Sequence, residues 1–289
     1  MVKVLKPDTR LWPVDKLILG YFCLISVMLI VWWNRIPDAA PLLVWHIAGT
    51  ALVIFQIKRP NPTTWFFRNW YPLIYVAACY KEMANVLPLA RGVNFDLQFA
   101  NLDQRIWGLQ PGVWLARFQT PALTEAVQWI YTAFVPAVLL VAFVFWLQKR
   151  YGEFQNYAFL ISLGYLVSYL GYVLWPARGP RFLLKDFESL PLHGMWLFQG
   201  MQSALDKLES VAYDAFPSGH TELTILAMWS TRKLSKVWFG AYFAYTSGII
   251  FATVYLRYHY TVDVFAGAIL AVLLIAAAPL ICGNFKRGV

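Results

Sequence analysis

Residues 260–282 read YTVDVFAGAILAVLLIAAAPLIC and carry a single charged side chain, Asp263. At about 1.5 Å per residue, a helix of that length crosses a hydrocarbon layer roughly 30 Å thick, whereas a soluble core helix is shorter and polar on one face. Working back along the chain, similar apolar stretches lie at about 17–33, 41–57, 69–88, 123–147, 157–175, 218–232 and 236–256. The third holds Lys81 and Glu82 and the sixth is short, so the expectation is six to eight crossings. The whole chain agrees: 60% of its 289 residues are hydrophobic and 13% charged, against about 25% charged in soluble domains. The expected fold class is all-α, a polytopic membrane helical bundle. It forms one integral-membrane domain over 1–289, with N-terminal helices and an interfacial segment in 1–120 and a chemically active core in 121–289.

The net charge of +9 and pI near 9.4 would raise nucleic acid as a partner in a soluble protein. Here the basic residues flank apolar segments, and there is no basic run, zinc spacing or aromatic-rich nucleic-acid motif, so nucleic acid is excluded. With all eight stretches spanning and the N-terminus inside, fourteen Lys and Arg fall on the cytoplasmic side and nine outside, with Lys81 in the bilayer. That bias sets both termini in the cytoplasm. The N-terminal polar stretch lacks a small-residue cleavage site, so the first apolar segment is expected to remain in the membrane, with a bacterial inner membrane as the expected location. Cys23, Cys79 and Cys282 read as small apolar packing residues. The four histidines show no metal-ligand spacing, and no metal or other cofactor is expected.

Two polar segments interrupt the apolar pattern. Residues 89–122 suggest a loop and an interfacial amphipathic helix, and 177–217 form the longest polar stretch. Within the latter, LFQGMQSALDKLESVAY (197–213) has apolar residues at helical spacing, as in a short helix lying on the membrane.

Three clusters at expected helix ends carry chemistry, all on the side opposite the termini. WPARGPRF (175–182) offers Arg178 and Arg181, whose guanidinium forks suit phosphate or, alternatively, lipid headgroups. DAFPSGHTELT (214–224) makes Ser218 an N-cap, with Gly219 leaving room for an anion at the first-turn N–H groups and His220 within reach of it. YLRYHYTVDVFAG (255–267) holds Arg257, His259 and Asp263. The last two are neighbours on one face if the helix has begun by His259, and a carboxylate on one ring nitrogen leaves the other free to attack. Together these residues describe metal-free phosphoryl transfer through a phosphohistidine. His259 would attack phosphorus, Asp263 would steady the imidazolium, and His220 would protonate the departing alkoxide. Arg178, Arg181 and Arg257 would balance the charge on phosphate.

The order P-S-G-H followed by H-x-x-x-D, with an arginine motif upstream, resembles the type 2 phosphatidic acid phosphatase superfamily. The resemblance implies a six-helix transmembrane core, His259 as nucleophile with Asp263 as its partner, and His220 as acid. It covers roughly the last 135 residues well and the first 120 loosely. Where the family usually has K-x6-R-P this chain has R-G-P-R, and Thr253 stands at the place of the family's third-motif arginine while Arg257 precedes the histidine by two. These departures, with H-Y-T-V-D, S-G-H-T and Asp214, resemble the branch of inositol phosphorylceramide and sphingomyelin synthases. The resemblance implies a phospholipid or lipid-phosphate substrate, with water or a lipid hydroxyl as acceptor. A lipid-binding or lipid-transporting protein of the same fold without turnover is the alternative. Lys81 and Glu82 read either as lining a headgroup cavity, as Asp214 does, or as an interfacial pair, and His46 reads as a satisfied packing residue. His193 and Glu222 lie close to the motifs without an evident role.

Overall fold

A computed structural model describes residues 9–87, 93–183, 191–208 and 211–282. The eight apolar stretches all form helix. They are α1 (Pro13–Val31), α2 (Ala39–Lys58), α3 (Pro62–Val86), the pair α6 (Pro121–Thr132) and α7 (Phe134–Leu147), α8 (Tyr151–Leu174), α11 (Gly219–Thr231), α12 (Lys236–Tyr255) and α13 (Thr261–Cys282). Between them lie α4 (Asp96–Trp107), α5 (Pro111–Leu115), α9 (Pro180–Leu183) and α10 (Phe198–Leu208). The result is an all-α polytopic bundle of an integral membrane protein. Among the described residues five helices are long and apolar enough to cross a bilayer, or six if the α6–α7 pair counts as one span. That pair bends by 45°, and Pro136 explains the break, because it has no N–H to return to the carbonyl of Thr132.

Local chemistry starts the helices. Asn61 accepts the Thr64 N–H at 2.9 Å ahead of Pro62, Thr120 accepts the Leu123 N–H ahead of Pro121, and Ser235 caps α12 through the Trp238 N–H. The long α8 is the axis of the bundle, packed by α3, α11, α7, α1 and α13. Glycine lets α11 approach it: a Cβ at Gly164 would come within 3.0 Å of the Glu222, Leu223 and Leu226 side chains.

Three expectations change at their boundaries. Helix α3 begins at Pro62 rather than 69, continuing through Pro72. Helix α13 begins at Thr261, so His259 precedes it rather than standing on its first turn. Helix α4 does more than lie at an interface, because its Asp96 and Asp103 are buried beneath the motif loops.

Candidate active site

The three motif clusters meet at one end of the bundle. A short parallel bridge joins Ala177 to Asp214, with the Ala215 N–H donating to the Ala177 carbonyl at 3.0 Å. The Ser218 N–H donates to the Asp263 carbonyl and the Arg181 N–H to the Arg257 carbonyl. Gly179 makes this approach possible: its φ is +95°, and a Cβ there would strike the Tyr258 carbonyl. Gly267 likewise lies against the Ser218 carbonyl, which seats α13 on the start of α11.

At the foot of α11, Ser218 is buried and its Oγ accepts the Thr221 N–H at 3.3 Å. Gly219 and His220 N–H have no intrahelical acceptor, as in any first turn. A side chain at position 219 would meet the Tyr172 hydroxyl at 2.8 Å, so the small residue keeps that end open.

His259 lies in the turn between α12 and α13. Its N–H and that of Tyr258 both donate to the Thr253 carbonyl, and Arg257 takes a positive φ of 68° to close the turn. The ring Nδ1 is 2.8 Å from the Ala215 carbonyl and 3.5 Å from Asp263 Oδ2. Asp263 itself accepts the Tyr260 N–H at 2.9 Å. The nearer orienting group is therefore a backbone carbonyl, with Asp263 second. A carbonyl can only accept, so Nδ1 carries the proton and Nε2 presents its lone pair. That Nε2 faces His220 Nδ1 at 3.5 Å.

The His220 ring stacks on Tyr131 with centroids 4.5 Å apart and touches Phe134 at 4.4 Å. Tyr131 in turn stacks on Tyr258 at 4.4 Å and 9°, and Arg181 caps that column 4.5 Å over Tyr258. Arg178 lies 4.2 Å over Phe182. Its Nε is buried with no hydrogen-bond partner among the described residues. Arg181, by contrast, holds Asp206 of α10 at 3.0 Å. Arg257 extends toward Gln119 Oε1 at 3.5 Å.

Asp214 sits close enough to feel both His259 and Arg181. Burial pushes its carboxyl above the usual range, opposed by the Tyr80 hydroxyl and by those two neighbours. The Tyr80 O–H donates to Asp214 Oδ2 at 2.6 Å, so α3 reaches the site through Tyr80. Lys81 and Glu82, read as lining a headgroup cavity or as an interfacial pair, lie in different surroundings. Lys81 is exposed, and Glu82 is buried against His46 Nε2 at 2.8 Å. His46 also meets Ser26 at 2.9 Å. The pair lies buried among α1, α2 and α3.

Sequence reasoning passed over the supports. Asp96 accepts the N–H groups of Arg178 and Gly179 and the Tyr260 hydroxyl. Asp103 accepts from the N–H groups of Thr261 and Val262. Their i, i+7 spacing in 96–103, which puts two acids on one helical face, was the available signal. Tyr131, Tyr258 and Tyr80 had none, since aromatic residues are common throughout the chain.

No curated protein and no solved structure matches the chain. A family profile described as the PAP2 superfamily matches residues 97–277, from the first turn of α4 to the interior of α13 and thus across all three clusters. The chain accordingly belongs to the PAP2 superfamily, with lipid-phosphate chemistry of the phosphatase or phosphotransferase type in a membrane.

Proposed function

We propose that the protein transfers a phosphoryl or phospho-alcohol group from a phospholipid or lipid phosphate through a phosphohistidine on His259. The observation that carries this reading is the opposed nitrogens: Nδ1 of His259 is tied to the Ala215 carbonyl while Nε2 faces a second imidazole. In the first half-reaction Nε2 bonds to phosphorus, the phosphorus–oxygen bond to the leaving alcohol breaks, and His220 gives that oxygen its proton. In the second, neutral His220 takes the proton of an acceptor hydroxyl as it attacks phosphorus, the N–P bond breaks, and both histidines return to their first state. Arg178, Arg181, Arg257 and the first-turn N–H groups at Gly219, capped by Ser218, balance the oxygens.

A separation of 3.5 Å between the two facing nitrogens leaves no room for a phosphoryl group, so His220 moves aside along its aromatic stack as substrate enters. Asp214 faces the headgroup or acceptor. The R-G-P-R motif, Thr253 and Arg257 favour transfer over hydrolysis, as in the inositol phosphorylceramide and sphingomyelin synthase branch, with the site at the extracytoplasmic face.

The test is product analysis of purified protein on a phospholipid panel, with and without diacylglycerol or ceramide, beside His259→Ala. Acceptor-dependent formation of a new phospholipid, reduced at least 10²-fold in the variant, is expected. Undiminished turnover by His259→Ala rejects the mechanism.

A further inference from the structure

Arg178 and Arg181 stand three residues apart in the same motif but in different electrostatic states. Arg178 has no carboxylate partner among the described residues, and its guanidinium rests on Phe182 and near Tyr213. Arg181 is paired with Asp206, although both side chains remain partly open to solvent, at 23% and 48% exposure.

The position of Asp206 is built rather than incidental. It lies on α10, which is anchored at its start by Glu125 of α6. That carboxylate collects the N–H groups of Met195, Trp196, Leu197 and Phe198 at 3.0 to 3.2 Å. A side chain at Gly194 would collide with Phe198 and with Glu125 Oε2. Phe198 is buried in the cluster containing Val127, Tyr131 and Tyr258, and Leu205 packs against it, which directs the neighbouring Asp206 toward Arg181. Among the described residues the other carboxylate near Arg181 is Asp214, and Lys207 is exposed beside Asp206.

We propose that Asp206 is a specificity-determining residue: held on Arg181, it favours a phosphodiester, with one negative charge, over a phosphomonoester carrying two. This rests on the reading of the arginine motif as the phosphate site. A singly charged phosphate takes Arg178 and shares Arg181 with Asp206. A doubly charged one sets its second charge against the Asp206 carboxylate, and must displace it.

Binding tests this without turnover. In a His259→Ala background, or His259→Gln if that variant does not fold, dihexanoyl phosphatidylglycerol and dihexanoyl phosphatidic acid are titrated calorimetrically at pH 8 and pH 5. At pH 8 the diester binds more tightly, by about tenfold, as expected for one partly solvated like-charge contact. Asp206→Asn removes most of that preference and Asp206→Glu keeps it. At pH 5 the monoester is largely singly charged, its second pKa being about 6, and the preference shrinks in the parent while Asp206→Asn shows little change between the two pH values. An unchanged ratio in Asp206→Asn, a monoester preference in the parent, or no binding of either ligand overturns the proposal. Failure of the phosphohistidine reading appears instead as turnover by the His259 variants.

Discussion

At the scale of single residues, the site is a set of side chains tuned by a few near contacts each. Asp214 shows this most directly. Its carboxyl is raised by burial and drawn back down by the Tyr80 hydroxyl and by the nearby His259 and Arg181. Replacing Tyr80 by Phe removes a donor to the charged form, which moves the carboxyl further up. Asp214 is charged only above its pKa, so the acidic limb of the kcat/KM profile shifts to higher pH in Tyr80→Phe. A limb that stays in place would show that the ionised Asp214 is not used. The same logic explains why the His259 tautomer depends little on Asp263: Ala215 offers a shorter contact, 2.8 against 3.5 Å.

At the scale of elements, two helices outside the long spans hold the motif loops in place. Helix α4 does so from below through Asp96 and Asp103, which accept backbone N–H groups from the arginine loop and from the first turn of α13. Burial also raises the Asp103 carboxyl, against hydrogen bonds from Thr261 and Val262. Helix α10 lies across the arginine side, pinned by Glu125. In Glu125→Ala four N–H groups lose their shared acceptor, and the start of α10 detaches from α6. Trypsin then cleaves after Lys207 several-fold faster than in the parent, as expected when local opening becomes easier. Equal cleavage rates would mean that packing of Phe198 alone holds the helix.

At the scale of the whole molecule, the first three helices are part of one body with the region that the family profile covers. Helix α3 packs along α8 and delivers Tyr80 to the site. At the opposite end Asp15 bonds Arg68 at 2.6 Å and the Tyr71 hydroxyl at 2.6 Å, fully buried. Arg68 also meets the Arg10 carbonyl and lies 4.1 Å over the Trp12 ring. Removing one partner of such a pair leaves a buried charge, at a cost of about 3–5 kcal/mol, whereas replacing both by apolar residues costs far less. Asp15→Ala should lower unfolding stability in detergent by that amount, and Asp15→Leu with Arg68→Met should recover most of it. A double variant as unstable as the single one would contradict this account.

The apolar runs by themselves determined the membrane bundle and nearly every long helix, because a span must hide all its backbone polar groups and only an unbroken apolar helix does so. Local spacing also marked Ser218 as a cap and brought out the two histidines and the arginine pair. The start of α13 two residues after His259 depended on a turn, and the break at Ala133 on Pro136, neither of which periodicity registers. Only the tertiary structure decided which group orients His259, which arginine is already paired, and how Tyr80, Asp96 and Asp206 serve the site. Those contacts join residues 25 to 164 positions apart, several of them through backbone carbonyl and N–H groups. Every residue carries such groups, so the sequence holds no mark of which ones will meet.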